Sequence, residues 1–199
     1  MHPVHVSAPR ARPGVPSRAP AVSRSSRRAA SVQCGLGLVL TLLAAAGCGG
    51  SGPKGSIGSP AAEFSLTALD GSAVRLEDYA GRIVVLDFWA TWCRPCQLEI
   101  PHFIALEAEY GPRGLAVIGV AVNDREDNVR VFAERMQINY PTALGNDGLV
   151  QAYGGFNAIP TTFVIGPDGK IAARYTGYQD KQVFADVIEK LLPAVRQTD

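Results

Sequence analysis

The chain has 199 residues, of which 47% are hydrophobic and 19% charged, and its formal net charge is +1. The charges are divided unevenly, because residues 1–47 contain six of the 19 basic residues and none of the 18 acidic ones. Residues 48–199 therefore keep 13 basic against 18 acidic residues, a net charge of −5, and the basic ones are scattered singly. This distribution excludes the basic stripe that nucleic-acid binding requires.

Residues 1–47 are typical of an export signal. Arg24, Arg27 and Arg28 form its positive end, and residues 36–46 form an apolar core that is shorter than the ~20 residues needed to cross a bilayer. Small residues directly before Cys48 resemble the bacterial lipobox, in which the cysteine is lipidated. Export would place the protein outside the cytoplasm, in the bacterial cell envelope, where disulfides persist. The alternatives are an ordinary signal peptide beside an incidental Cys48 and a twin-arginine export signal.

Beyond the signal, residues 48–60 are rich in Gly, Ser and Pro and predict a flexible linker. Residues 61–195 are long enough for one domain with a sizeable core. Its first predicted element is a β-hairpin, because Asp70-Gly71 is flanked by the apolar patterns of residues 64–66 and 73–76.

Hydrophobic periodicity and turn residues predict the remaining elements. In chain order they are strand 83–90, helix 95–110, strand 115–122, helix 129–136, hairpin strands 163–165 and 170–175, and helix 183–192. Pro101 should kink the first helix, while Asp180 is a candidate N-cap and Pro193 a candidate stop for the last one. This order predicts an α/β sheet with helices on both faces.

The segment Trp92-Cys93-Arg94-Pro95-Cys96 lies at the junction of the first buried strand and the first helix. Cys93 then falls at the helix start, where unpaired N–H groups and the helix dipole stabilise a thiolate. Pro95 suits a first helical turn, which needs no amide donor from it. A spacer of two residues also lets the second thiol attack a mixed disulfide formed by the first. The arrangement predicts dithiol–disulfide redox chemistry.

Three other uses of this cysteine pair fit the sequence less well. A zinc site needs four ligands, but the other cysteines, Cys34 and Cys48, precede the domain, and His102 is its only histidine. We therefore predict no metal site. Haem attachment needs a histidine directly after the second cysteine, where Gln97 stands. A purely structural disulfide would gain little chain entropy by closing so short a loop.

Residues 86–96, Leu-Asp-Phe-Trp-Ala-Thr-Trp-Cys-Arg-Pro-Cys, resemble the active-site segment of the thioredoxin superfamily. Three further features are similar to the TlpA/ResA-like branch of exported thiol–disulfide oxidoreductases. Glu99 and Pro101 follow the pair as Cys-x-x-Cys-x-x-Glu-x-Pro. An insertion at about residues 128–153 separates the 115–122 strand from the final hairpin, and residues 159–163, Ile-Pro-Thr-Thr-Phe, resemble the cis-proline loop. The resemblance covers residues 58–193. It implies a thioredoxin-like fold, with a central mixed sheet flanked by helices, an N-terminal β-hairpin and a central insertion.

The resemblance also implies roles for individual residues. Cys93 would be the exposed nucleophile, Cys96 the resolving thiol, and Pro160 a cis-proline packed against them. The backbone beside this proline would pair with an extended client segment. The candidate substrate-binding residues are Trp92, Ile159 and Thr161. From the residues alone, Pro160 is equally well explained as an edge-strand or turn proline.

Two acidic residues are candidate proton-handling groups. Glu99 lies three residues after Cys96 on the same side of the helix, where a carboxylate can raise the thiol pKa values and shuttle a proton. A solvated surface glutamate is the alternative. Asp87 interrupts an apolar strand, and a buried charge needs a partner or shifts its pKa. General thioredoxins carry Asp at this place and TlpA/ResA-like proteins more often Asn, so the presence of both acids leaves open which one handles the proton.

The sequence thus predicts a membrane-tethered thiol–disulfide oxidoreductase outside the cytoplasm, with no cofactor beyond the redox-active pair Cys93 and Cys96. The resemblance implies that it reduces exported proteins such as apocytochrome c, using electrons from a membrane thiol carrier of the CcdA/DsbD type. Two rival functions share this fold. A thiol peroxidase of the peroxiredoxin group needs a threonine three residues before a single reactive cysteine, whereas Thr91 is two before Cys93. A copper chaperone needs a wider cysteine spacing and a distant histidine.

Overall fold

The computed structural model describes residues 54–192, so the predicted export signal, residues 1–47, and the predicted lipidation site Cys48 lie outside the described residues. This part of the chain contains seven strands, four α-helices and two short 3₁₀-helices, Leu76–Tyr79 and Gly111–Arg113. In order the strands and α-helices are β1 (Ser65–Thr67), β2 (Ala73–Arg75), β3 (Ile83–Trp89), α1 (Arg94–Tyr110), β4 (Leu115–Ala121), α2 (Glu126–Met136), β5 (Thr142–Leu144), α3 (Asp147–Ala152), β6 (Thr161–Ile165), β7 (Ile171–Thr176) and α4 (Lys181–Leu191).

A five-stranded sheet in the order β5–β4–β3–β6–β7 organises the domain. Strand β4 runs parallel to both β3 and β5, whereas β6 is antiparallel to β3 and β7. Every residue of β3 and β4 is buried, which explains their continuous apolar runs, since central strands are covered on both faces. The predicted mixed sheet with flanking helices is therefore confirmed.

The two faces of β3 pack against different elements, because successive side chains point to opposite sides of a strand. Ile83 and Val85 share a hydrophobic cluster with α1 and α4, whereas Val84, Leu86 and Phe88 share one with β2 and α3. The helices thus cover both faces, as the sequence predicted.

The N-terminal hairpin is also confirmed, with β1 and β2 paired antiparallel. Just before it, the backbone of Gly58, Ser59 and Ala61 exchanges hydrogen bonds of 2.8–3.0 Å with the hairpin that joins β6 to β7. Pro60 forms an isolated antiparallel bridge with Lys170. Residues 58–60, which we predicted as the end of a flexible linker, are thus held against the sheet by backbone hydrogen bonds.

The remaining predictions concern helix ends and the segment 128–153. That segment lies within a helix–strand–helix unit, α2–β5–α3, which places β5 at the edge of the sheet. Asp180 occupies the N-cap position of α4 but makes no side-chain cap, because its Oδ1 accepts the hydroxyl of Tyr178 at 2.9 Å. Pro193 lies outside the described residues. Within residues 54–192, no helix is both long enough and apolar enough to span a bilayer.

Candidate active site

Cys93 and Cys96 are joined by a disulfide at the start of α1. Cys93 is the N-cap residue, and its Sγ accepts the backbone N–H of Cys96 at 3.2 Å. Pro95 occupies the first helical turn, as the motif predicted. Free N–H groups and the helix dipole favour an anion at the N-terminus of α1. This position therefore stabilises a thiolate on Cys93 after the disulfide is reduced.

The two sulfur-bearing residues differ in exposure, although less than the resemblance implied. Cys93 is 5% exposed and Cys96 is 1% exposed. Cys93 is therefore not a freely exposed residue in the disulfide form, because it packs in a cluster with Trp89, Ile100 and the partly buried Ile159. The small difference makes Cys93 the more accessible residue of the pair.

The predicted proline loop lies directly against the disulfide. The Ile159–Pro160 peptide bond is cis, as the resemblance implied, and the carbonyl oxygen of Ile159 is 3.7 Å from Cys93 Sγ. The carbonyl of Pro160 accepts the N–H of Gly177 at 2.8 Å. The loop therefore brings a backbone segment to the sulfur at which a client would react.

Of the three predicted substrate-binding residues, Thr161 is placed differently from the expectation. It is fully buried, its hydroxyl donates to Ala158 O at 2.7 Å, and its backbone lies in β6 between β3 and β7. Its side chain therefore has no surface to offer a client. Trp92, by contrast, is 61% exposed, and Ile159 lies at the surface beside Cys93.

Trp92 and Ile159 border a cleft of about 290 Å³. Its wall also contains Asn123 and Asp147, and Phe156 gives it an apolar part. The cleft lies near the disulfide, since Trp92 directly precedes Cys93 and the carbonyl oxygen of Ile159 is 3.7 Å from Cys93 Sγ.

The loop between β3 and α1 is held by a residue that the sequence analysis missed. Asp124 Oδ2 accepts both the N–H and the hydroxyl of Thr91 at 2.7 Å, and the indole of Trp92 donates to Asn123 O at 3.1 Å. A signal for Asp124 existed, because it follows the strand that runs parallel to β3, and parallel strands end at the same sheet edge.

Both predicted acids are buried, which rules out the surface alternative for Glu99. Asp87 is 1% exposed and accepts the hydroxyl of Thr162 at 3.2 Å. Glu99 is 0% exposed, and its Oε1 accepts the backbone N–H of Gln179 at 2.7 Å. One acid therefore lies on the central strand and the other one turn after Cys96 in α1.

Burial changes the acid–base behaviour of both carboxyls. Removal from water raises the pKa of Glu99 to about 7, although the hydrogen bond from Gln179 opposes the rise. Burial and then the charge of Glu99 raise the pKa of Asp87 well above its ordinary value, against a smaller opposing effect of Thr162. The charge of Glu99 thus couples the two carboxyls electrostatically, and the pKa of Glu99 lies in the range useful for proton transfer at neutral pH.

His102 and Arg94 lie beside this centre without entering it. The His102 ring is 5.7 Å from that of Tyr178, and its Nδ1 is 3.3 Å from Gln179 O. Glu99 thus accepts the backbone N–H of Gln179, and His102 contacts the backbone carbonyl of the same residue. Arg94 is exposed, with its guanidinium 3.4 Å from Gln97 Oε1.

Together these groups can carry out disulfide exchange. Such an exchange would use the helix N-terminal Cys93 as the attacking sulfur and the more deeply buried Cys96 as the resolving one, with a buried carboxyl as a candidate proton acceptor. The backbone of Ile159 provides a polar contact beside the reacting sulfur.

Comparison with known proteins supports this chemistry. The sequence model of the AhpC/TSA family matches residues 57–174. A protein named thiol-disulfide oxidoreductase ResA from Geobacillus thermodenitrificans is 37% identical over 139 residues, which cover 69% of this chain and 79% of that protein. Another of the same name from Bacillus thuringiensis is 31% identical over 140 residues, 70% of this chain and 81% of that protein.

Solved structures are similar as well. A thiol:disulfide interchange protein of the thioredoxin family from Chlorobium tepidum superposes with a TM-score of 0.64 at 31% identity, covering 67% of this chain and 96% of that one. An exposed lipoprotein thioredoxin from Streptococcus pneumoniae gives a TM-score of 0.59 at 28% identity, covering 65% of this chain and 100% of that one.

Proposed function

Because this chain belongs to the AhpC/TSA family and is a thiol–disulfide oxidoreductase similar to the ResA proteins, we propose that it reduces disulfides of exported proteins from a lipid anchor outside the cytoplasm. The observation that carries the proposal is the Cys93–Cys96 disulfide at the N-terminus of α1, with the cis Ile159–Pro160 bond beside it. The proposed catalytic residues are Cys93, Cys96, Glu99, Asp87 and Pro160.

The charges around the thiols support the reductive direction of electron flow. A strong oxidant requires its reduced form to be stabilised, and among the described residues the helix N-terminus and the cation of Arg94, directly after Cys93, act in that sense. The buried carboxyls of Asp87 and Glu99 act against it, since negative charge disfavours a second anion nearby. This balance supports a reductant.

In the reductive direction, the Cys93 thiolate attacks one sulfur of a client disulfide and the other client sulfur leaves as a thiolate. Cys96 then gives its proton to a buried carboxylate and attacks Cys93, which forms the Cys93–Cys96 disulfide and breaks the bond between Cys93 and the client. Two electrons pass to the client, whose two sulfurs end as thiols after taking protons from solvent. The enzyme must then be reduced again by an outside dithiol.

We propose apocytochrome c as one client and a membrane thiol carrier of the CcdA/DsbD type as the electron source, as the resemblance to TlpA/ResA-like proteins suggests. Residues 1–47 and Cys48 support export and lipidation, and one structurally similar protein is described as an exposed lipoprotein. Lipidation would keep the domain near a membrane carrier.

The first rival function is a thiol peroxidase of the peroxiredoxin group. Thr91 is two residues before Cys93, and its hydroxyl donates to Asp124 at 2.7 Å, away from the role that a peroxidase threonine would need. This favours exchange over peroxide reduction.

The reduction potential of the Cys93–Cys96 pair tests the proposed direction. It can be measured by equilibrating the purified protein with glutathione or dithiothreitol buffers and counting free thiols by mass. A value near about −270 mV supports the reductant, whereas a value near about −120 mV would assign an oxidant instead.

A further inference from the structure

Gly119 lies in the middle of β4, directly opposite Asp87 in the register of the two central strands. A β-carbon there would stand 3.1 Å from Trp89 Nε1 and 3.2 Å from the ring of Tyr140. Its φ is not positive, so the need for space, not for an unusual backbone conformation, explains the glycine. The missing side chain lets the two rings lie close to the sheet beside Asp87.

Three buried polar atoms of this region have no hydrogen-bond partner among residues 54–192. They are Trp89 Nε1, Tyr140 OH and Glu99 Oε2. The indole can only donate, the hydroxyl can donate, and the carboxyl oxygen accepts when ionised. The two donors, Trp89 Nε1 and Tyr140 OH, are therefore chemically complementary to the acceptor, Glu99 Oε2. Buried polar groups in folded proteins are rarely left unpaired, so we expect these three atoms to share hydrogen bonds.

Among the described residues no cation pairs with the two buried carboxyls, so the neutral donors Tyr140 OH and Trp89 Nε1 are their candidate hydrogen-bond partners. Within the described residues, Asp87 and Glu99 form no salt bridge, and no Lys or Arg contributes to their pKa values. The charges of Asp87, Glu99 and Glu107 add to burial in raising the pKa of Tyr140, so its hydroxyl stays protonated and keeps its proton to donate. The other titratable groups nearby are Tyr178 before α4, Arg82 beside Glu107, and Asp70, Arg130 and Glu134 along the groove outside Tyr140.

We propose that Tyr140 is a positioning residue for thiol–disulfide exchange, whose hydroxyl donates to the free oxygen of Glu99 through one bound water, since the two atoms form no direct hydrogen bond. Trp89 Nε1 is a second donor to the same centre, and Gly119 keeps both rings in place. This assignment rests on the exchange function proposed above. Its effect is to stabilise the carboxylate that must accept the proton of Cys96 before Cys96 attacks Cys93.

The replacement Tyr140→Phe tests this, because it removes only the hydroxyl. The Glu99 carboxyl carbon of ¹³C-labelled full-length protein in the disulfide form is followed by NMR against pH. Loss of a hydrogen bond to a charged group should raise the titration midpoint by about one pH unit. The pH profile of exchange should move in the same direction, because the carboxylate forms only at higher pH.

Tyr110→Phe is the matched control, since Tyr110 is also a buried tyrosine of the sheet–helix core but donates to Glu189 Oε1 at 3.0 Å, at the far end of α1. It should leave the Glu99 midpoint unchanged. An equal midpoint in Tyr140→Phe, Tyr110→Phe and wild type would overturn the proposal.

Gly119→Ala provides a second variant, because the added methyl would stand 3.1 Å from Trp89 Nε1 and 3.2 Å from both Thr142 Oγ1 and the Tyr140 ring, so these side chains must shift by a few tenths of an ångström. Since both proposed donors are crowded, this variant should also raise the Glu99 midpoint, and a folded variant with the wild-type midpoint would count against the assignment. The titration needs no client, so a failure of the proposed reductase function, seen as absent client reduction, is distinguishable from a failure of this inference.

Discussion

At the scale of single residues, the proposed chemistry depends on Glu99, which is buried and pairs with no cation among the described residues. The residue is 0% exposed, and the one described hydrogen bond to its side chain comes from the N–H of Gln179. The resulting rise of the pKa of Glu99 to about 7 makes it a usable proton acceptor at neutral pH. It also links the stability of the domain to pH.

We predict that Glu99→Gln stabilises the domain above neutral pH. Between the ordinary value of 4.5 and the folded-state pKa of about 7, the folded protein keeps a proton that the unfolded chain has lost, so the free energy of unfolding falls as pH rises. The contribution of Glu99 to this loss should total about 3 kcal/mol between pH 4 and pH 8 and be missing from the variant, whose remaining pH dependence comes from Asp87 and other groups. Urea unfolding at several pH values measures it.

Glu109→Gln is the control for that experiment, because Glu109 lies in the same helix but is exposed and paired with Lys181 at 2.6 Å. Its curve should run parallel to that of the wild type. If the free energy of unfolding of Glu99→Gln also ran parallel to that of the wild type as pH changes, Glu99 would not retain a proton in the folded protein up to a pH of about 7.

The sequence predicted these single residues unevenly. Cys93, Cys96 and Glu99 belong to one local motif, and Asp87 stands out as the only charge in an apolar strand. Tyr140 and Gln179 could not be predicted, since the first lies next to Trp89 and the second binds Glu99 only through the tertiary fold. Gly119 gave a signal that was not used, because a glycine inside a buried strand often marks a close approach.

At the scale of elements, α4 holds α1 against the sheet and thereby fixes the helix that carries the cysteines. The Phe184 ring lies 5.0 Å from that of Phe103 in α1 and 5.4 Å from that of Tyr175 in β7, centroid to centroid. All three residues belong to the same hydrophobic cluster, and Phe184 is fully buried. The position of α1 therefore depends on a residue far along the chain from Cys93.

Phe184→Ala should lower the free energy of unfolding by about 3–5 kcal/mol, through lost burial and the cavity left behind. Thermal or urea unfolding measures the change, and the remaining folded protein should keep its disulfide exchange. Val131→Ala is the control, because Val131 is 65% exposed in α2 and should cost less than about 0.5 kcal/mol. Equal effects of the two changes would contradict the proposed packing.

Elements were predictable where their own residues specify them. The runs at 83–90 and 115–122 are apolar throughout and predicted β3 and β4 within one residue at each end. Strand β5 is only three residues long and is stabilised by its pairing with β4. Three residues are too few for a hydrophobic periodicity that would predict a strand from the sequence. The N-cap at Asp180 was predicted in position but not in hydrogen bonding, because Tyr178 competes for its carboxylate.

At the scale of the whole molecule, the chain has a basic leader, residues 1–47, followed by Cys48 and an acidic domain. The proposed function requires both parts. A single lipid chain binds a bilayer only marginally, so stable anchoring would need more than one acyl chain on this residue. The domain would then act at the membrane surface, within reach of a membrane thiol carrier.

We predict that Cys48→Ala leaves either an uncleaved precursor or a soluble domain, because the lipid attachment point is lost. Cell fractionation and intact-mass measurement of the membrane-extracted protein distinguish these forms. Cys34→Ala is the matched control and should change neither the mass of the mature protein nor its location. A soluble wild-type protein with an unmodified N-terminus other than Cys48 would refute the tether and leave the redox chemistry intact.

The most direct test of the central claim compares Cys93→Ser with Cys96→Ser, each incubated in reduced form with a disulfide-containing client such as insulin. Cys96→Ser should accumulate a mixed disulfide on Cys93, because the resolving thiol is missing, and Cys93→Ser should neither trap client nor reduce it. Intact mass followed by peptide mapping locates the adduct. Adducts on Cys96 in the Cys93→Ser protein, or full reduction by either variant, would contradict the assigned roles.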